Sequence, residues 1–150
     1  MNILKIFFIS AVPLVEQRGA IPYGIFVLNM NPALVFVISY LGSLLPVPFI
    51  LFLFNALFDY MKKFKFLARF NNFIDNKVKK GAKKIEKYAE LGLITFVAIP
   101  LPTTGLWTGS AAAAFLGLNK KKSFLCIALG GLISAIVITL LCIYFPYLFK

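Results

Sequence analysis

Forty consecutive residues, 19–58, carry no charged side chain, and three further runs, 6–15, 91–119 and 123–149, are equally free of charge. A soluble domain has no core large enough to hide such runs. In lipid, each peptide group must find its partner inside the chain, which leaves helices as the natural solution for continuous apolar stretches. With 61% apolar residues and a mean hydropathy of +0.90, the chain reads as an all-α integral membrane protein. Its 150 residues leave room for one bundle and no second domain.

The charges that do occur are grouped. Ten of the sixteen cations lie in 59–90 and three more are Lys120, Lys121 and Lys122. A net charge of +11 would also suit a nucleic-acid binder, but this clustering is that of positive-inside topology, and no nucleic-acid partner is expected. Both basic segments are therefore assigned to the cytoplasm, and Lys5 and Lys150 then face outward.

Two runs are plain spans of about 20 residues or more: 32–58, which Pro46 and Pro48 should kink, and 123–147, where Gly130 and Gly131 permit close helix approach. The other two are interrupted. Region 91–118 is broken at Pro100, Pro102 and Gly105, with Gly109 just beyond, and has cations on both flanks. A re-entrant hairpin keeps both flanks in the cytoplasm; the rival, a tilted span, puts three lysines outside. Region 3–29 is broken at Pro13, at Glu16-Gln-Arg18-Gly19 and at Pro22, and turns at Leu28-Asn-Met-Asn-Pro32 into the first span. Beyond Pro13 the chain enters another apolar run rather than a polar domain, so the N-terminus is read as part of the fold and not as a signal peptide.

The expected architecture is an inverted repeat of two units, each a re-entrant hairpin with a span after it. A sequence echo accompanies it: Ala11-Val-Pro-Leu14 with Ala98-Ile-Pro-Leu101, and Leu28-Asn29 with Leu118-Asn119, at offsets of 87 and 90. Discontinuous helices in such repeats build substrate sites near the bilayer midplane. The segment 59–90 joins the halves as a basic amphipathic surface helix, with Phe66, Phe70, Phe73, Val78, Ala82, Ile85 and Ala89 on one face. It is read as a surface connector; cations at 62–87 can also hold anionic lipid head groups.

Glu16 is the one carboxylate in any apolar run, and Arg18 stands two residues on. Charged groups at mid-bilayer cost roughly 2.5–3.5 kcal/mol each, so they read as functional. Either Glu16 carries a coupling proton with Arg18 modulating it, or the two form a structural lock. Arg18 also offers a planar fork for an anionic head group. In the second break, the hydroxyls of Thr103, Thr104 and Thr108 can satisfy freed backbone groups, and Trp107 is either an interfacial anchor or a flat face for a ligand. Cys126 and Cys142 lie sixteen residues apart in one helix, about 24 Å of rise, so they cannot pair within it. With no His and no Cys cluster, no metal or other cofactor is expected. One intramembrane carboxylate without a partner acid leaves little for catalysis, so no catalytic residue is assigned.

Glu16-Gln-Arg-Gly-Ala-Ile-Pro22 together with Pro100-Leu-Pro-Thr-Thr-Gly-Leu-Trp-Thr-Gly109 resembles the bacterial small multi-drug export protein family and, more distantly, the DedA/SNARE-associated membrane proteins. The resemblance implies paired re-entrant hairpins and marks Glu16, Arg18, Gly19, Pro22, Pro100, Pro102, Gly105, Trp107 and Gly109. The chain departs from both patterns: Thr103 stands where the first family usually has glycine, and the second hairpin lacks the arginines of DedA-like proteins. The expectation is a homodimeric transporter of the bacterial inner membrane, proton-coupled through Glu16, moving an amphiphilic molecule. A flippase for a lipid or lipid-linked phosphate and a non-transporting scaffold are the alternatives.

Overall fold

The computed structural model describes residues 1–61, 88–101 and 104–148. Pro102, Thr103 and the segment 62–87, with its expected lipid contacts, lie outside the described residues. Among those described, all regular structure is helical: α1 Asn2–Ala11, α2 Glu16–Pro22 continued by a π turn Tyr23–Val27, α3 Pro32–Leu44, α4 Pro46–Met61, α5 Tyr88–Ala98, α6 Leu106–Phe115 and α7 Lys120–Leu148.

Local chemistry sets these boundaries. Val12, next to Pro13, is driven out of helical space to φ −72°, ψ 135° and ends α1. The chain then doubles back through left-handed Leu14 (φ 70°) and Glu16 (φ 46°). Asn31 caps α3 by accepting from the Ala33 N–H at 2.9 Å, with Pro32 at the first helical position. At Leu45, just before Pro46, the helical ladder slips and the Leu45 N–H reaches the Gly42 carbonyl. The helix α6 ends in a Schellman motif: Gly117 is left-handed (φ 64°) and the Leu118 N–H bonds the Ala113 carbonyl at 3.0 Å. Asn119 then accepts from the N–H groups of Lys121 and Lys122, so α7 starts at Lys120, three residues before the expected span. Likewise α4 runs on to Met61 and α5 is already helical at Tyr88, so both enter the segment expected to be connector.

Pro32–Leu53 and Lys120–Phe145 are long and apolar enough to cross a membrane. The ten-residue α1 and α6 are not. Along α4 and α7, Phe49, Phe52 and Leu53, and Leu125, Leu129, Ile133 and Leu140, remain exposed. Apolar faces with nothing to cover them in water suit a lipid environment. Together these features point to a membrane protein.

The core has two parts. Ile6, Ala20, Ile21, Val35, Ala135, Ile138 and Cys142 join α1, α2 and α3 to the far half of α7. Val47, Leu51, Leu93, Val97, Leu106, Ala113, Cys126 and Ile127 join α4, α5 and α6 to its near half. The Tyr40 hydroxyl donates to the Ala128 carbonyl at 3.0 Å while Val35 shares a cluster with Ala135 and Ile138, so α3 and α7 run in opposite directions. Cys126 and Cys142 fall in different clusters, and both are buried free thiols.

One packing motif occurs twice. Gly42 of α3 sits against the Phe7 carbonyl and Ser10 of α1, where a Cβ has no room. Gly130 of α7 sits against the Ile94 carbonyl and Val97 of α5, where a Cβ would stand 2.7 Å from that oxygen. The partners are related by offsets of 87 and 88 in the chain. Small residues let helix backbones approach this closely.

Candidate functional site

The turn between α1 and α2 meets the turn between α5 and α6, and the meeting is polar. Glu16, only 4% exposed, leaves α2 in a left-handed conformation that L-residues adopt at a cost of about 1–3 kcal/mol. Its Oε2 accepts from the Leu106 N–H at 3.2 Å and its Oε1 from the Trp107 N–H at 2.9 Å. These are the first two residues of α6, whose N–H groups have no partner within their own helix. An ionised carboxylate suits the partial positive charge there. Approach this close requires Gly105: a Cβ at that position would lie 2.6 Å from Oε1 and 2.7 Å from Cδ of Glu16. The Gly105 N–H goes instead to the Thr108 hydroxyl at 2.8 Å.

Arg18 does the complementary job at the other arm of the same turn. Its Nη2 donates to the Ile99 carbonyl at 3.1 Å and, more weakly, to Val97 at 3.4 Å, at the end of α5, where carbonyls lack helical partners and a cation is favoured. The Thr104 hydroxyl also donates to Ile99, at 2.7 Å. The contacts are reciprocated: Trp107 Nε1 donates to the Ala11 carbonyl at 3.1 Å, at the end of α1. Among the described residues, Glu16 and Arg18 form no ion pair with each other. Each is engaged by the opposite turn.

Gln17, between them, is a site residue that the sequence does not single out. It is fully buried, donates to the Gly131 carbonyl at 2.7 Å, and accepts from Ser43 at 3.2 Å, tying α2 to α7 and α3. A buried amide is stable only with such partners. The available signal is an uncharged polar residue inside the one charged stretch of an apolar run.

Beside the junction opens a cavity of about 280 Å³, lined by Pro13, Leu14, Glu16, Arg18, Ile50, Thr104, Gly105, Trp107, Thr108 and Ala111. Seven of the residues singled out from sequence thus share one wall. Others lie away from it. Gly109 packs on Val97 with no room for a Cβ, which would lie 2.5 Å from the Val97 Cγ2, and so lets α6 sit close against α5. Gly19 and Pro22 stand further along α2, and Pro100 comes just after the end of α5. Pocket walls that are mainly apolar, with a few directed polar groups, fit an amphiphilic guest. Among the described residues no His, Cys, Asp or Glu group converges in a way that could hold a metal ion.

The sequence model of the family described as "Putative small multi-drug export protein" matches residues 16–137, and the chain belongs to that family. Neither the curated proteins nor the solved structures contain a match. The match begins at Glu16, just after the first turn, and includes α2, the turn between α5 and α6, and α6 itself.

Proposed function

We propose that this member of an export family is a small membrane transporter whose gate is the junction of its two turns, and that it moves an amphiphilic substrate past the cavity at that junction. The observation that carries the reading is the reciprocal capping: Glu16 on the start of α6 and Arg18 on the end of α5. Charges that hold two helix breaks together can also release them. A proton arriving on Glu16 would turn one acceptor oxygen into a donor facing a backbone N–H, and the cap would open. That is the coupling step of the proposal.

In this reading α1–α2 and α5–α6 are re-entrant hairpins of an inverted repeat. The repeated glycine contact of Gly42 and Gly130 and the opposed directions of α3 and α7 support it, as does the general use of broken helices at transporter midplanes. The protein resides in the bacterial inner membrane as a homodimer, with 59–90 and Lys120–Lys122 in the cytoplasm. One feature favours the second reading, a flippase for a lipid-linked phosphate: the buried Nε of Arg18 has no acceptor among the described residues, and a guanidinium edge is a phosphate-binding group.

Reconstituted vesicles decide between them. Imposed pH gradients should drive uptake of a lipophilic cationic dye in the parent protein and not in Glu16→Gln. Movement of a labelled lipid phosphate without dye uptake would replace the first reading by the second. Full activity in a correctly assembled Glu16→Gln variant would remove proton coupling through this residue.

A further inference from the structure

We propose that the groove between α4 and the start of α7 is a binding site for one anionic phospholipid, with its head group on Lys120 and Lys121 and its acyl chain against Phe52, Phe124 and Leu125. The groove has a volume of about 460 Å³, more than the cavity at the turns, and its walls are wholly apolar, the hydrocarbon stems of these two lysines included. Phe52 and Leu125 are 62% and 61% exposed, so they offer hydrocarbon surface outward rather than to the core. The Lys120 ammonium lies 4.6 Å from the centre of the Phe52 ring, which holds a cation at the groove's edge.

Charge complementarity selects the occupant. Three consecutive lysines occupy the first turn of α7, where the helix already carries partial positive charge and anions are preferred. Asn119 takes up the N–H groups of Lys121 and Lys122, so the cap on this helix start is itself uncharged. Lys122 reaches Glu90 of α5 at 3.1 Å. Lys120 and Lys121 line the groove instead, so an anion is wanted there. A free phosphate would satisfy the lysines and leave the aromatic wall bare. A zwitterionic lipid would present its own ammonium to two others. A phosphate-bearing lipid without a head-group cation satisfies both parts, and the site stands whether or not the turns form a transport path.

The test uses the full-length protein in detergent, titrated with phosphatidylglycerol or with phosphatidylcholine of the same chains, and retained lipid counted by native mass spectrometry. Phosphatidylglycerol should be retained at least about tenfold more tightly. Lys120→Gln/Lys121→Gln should cut that preference several-fold, whereas Lys83→Gln/Lys84→Gln, which removes two cations from the other basic segment, should leave most of it. The exposed single change Phe52→Ser should weaken phosphatidylglycerol binding too, and serves if the double lysine variant fails to assemble. Equal retention of the two lipids, an unchanged preference in Lys120→Gln/Lys121→Gln, undiminished phosphatidylglycerol binding in Phe52→Ser, or full competition by inorganic phosphate would each overturn the site.

Discussion

Replacing Glu16 by Gln changes one oxygen to an amide nitrogen and little else, so it isolates the cap on α6. In the parent, both carboxylate oxygens accept helix N–H groups, at 3.2 and 2.9 Å. In the variant only one acceptor remains, and the amide NH₂ faces a donor. A hydrogen bond to a charged group is worth about 1.5–3 kcal/mol net, and the attraction of a partly buried carboxylate to a helix start adds roughly 0.3–2 kcal/mol. The expected loss is about 2–4 kcal/mol, since part of one bond survives. For a chain of this size that lowers Tm by roughly 4–16 °C, read by thermal unfolding of the detergent-purified protein. Glu90→Gln is the matched control: its partner Lys122 is 54% exposed, and exposed ion pairs contribute only about 0.2–1 kcal/mol. If Glu16→Gln melts with the parent, or no lower than Glu90→Gln, Glu16 does not cap α6 and the gate has no basis.

The same geometry fixes the other expectations. Gly105→Ala should act like a partial loss of Glu16, because the new methyl occupies the carboxylate's place; overpacking of this kind costs about 1–3 kcal/mol, and Tm and dye uptake should fall together. Trp107→Phe removes the bond to the Ala11 carbonyl while keeping an aromatic ring, so a modest loss of about 0.5–1.5 kcal/mol is expected in the same melting assay. Gly42→Val and Gly130→Val should each prevent assembly, seen as aggregation on size-exclusion chromatography, since backbone carbonyls of α1 and α5 stand where the side chain must go. Cysteine placed at Lys121, with Cys126 and Cys142 removed, should resist outside thiol reagents in intact cells; ready labelling would make 91–118 a plain span.

The membrane class, the broken regions and the charged turn are legible in the sequence because each rests on a coarse quantity: uncharged length, helix-breaking residues, the cost of charge in hydrocarbon. Pro13 ends α1 and Asn31-Pro32 starts α3 through rules that act over a few residues. The partners of Glu16 and Arg18 are not legible in the same way. Their spacing of two suggests a pair, yet each meets a helix end some eighty to ninety positions away, and only folding brings those ends into reach. Gln17 escapes notice for the same reason, since its partners Ser43 and Gly131 lie on two other helices. The start of α7 differs from expectation by three residues because the Asn119 cap extends a helix through lysines that hydropathy excludes.

The claim that the junction of the turns is the gate is tested by holding it shut. Cysteines at Ala11 and Trp107, whose parent residues are joined by the indole bond, in a background lacking Cys126 and Cys142, can be bridged by a short thiol-specific reagent that a reductant cleaves. Bridging should abolish substrate movement in vesicles and reduction should restore it. Unimpaired transport by the bridged protein would mean that the turns never part and that the path lies elsewhere.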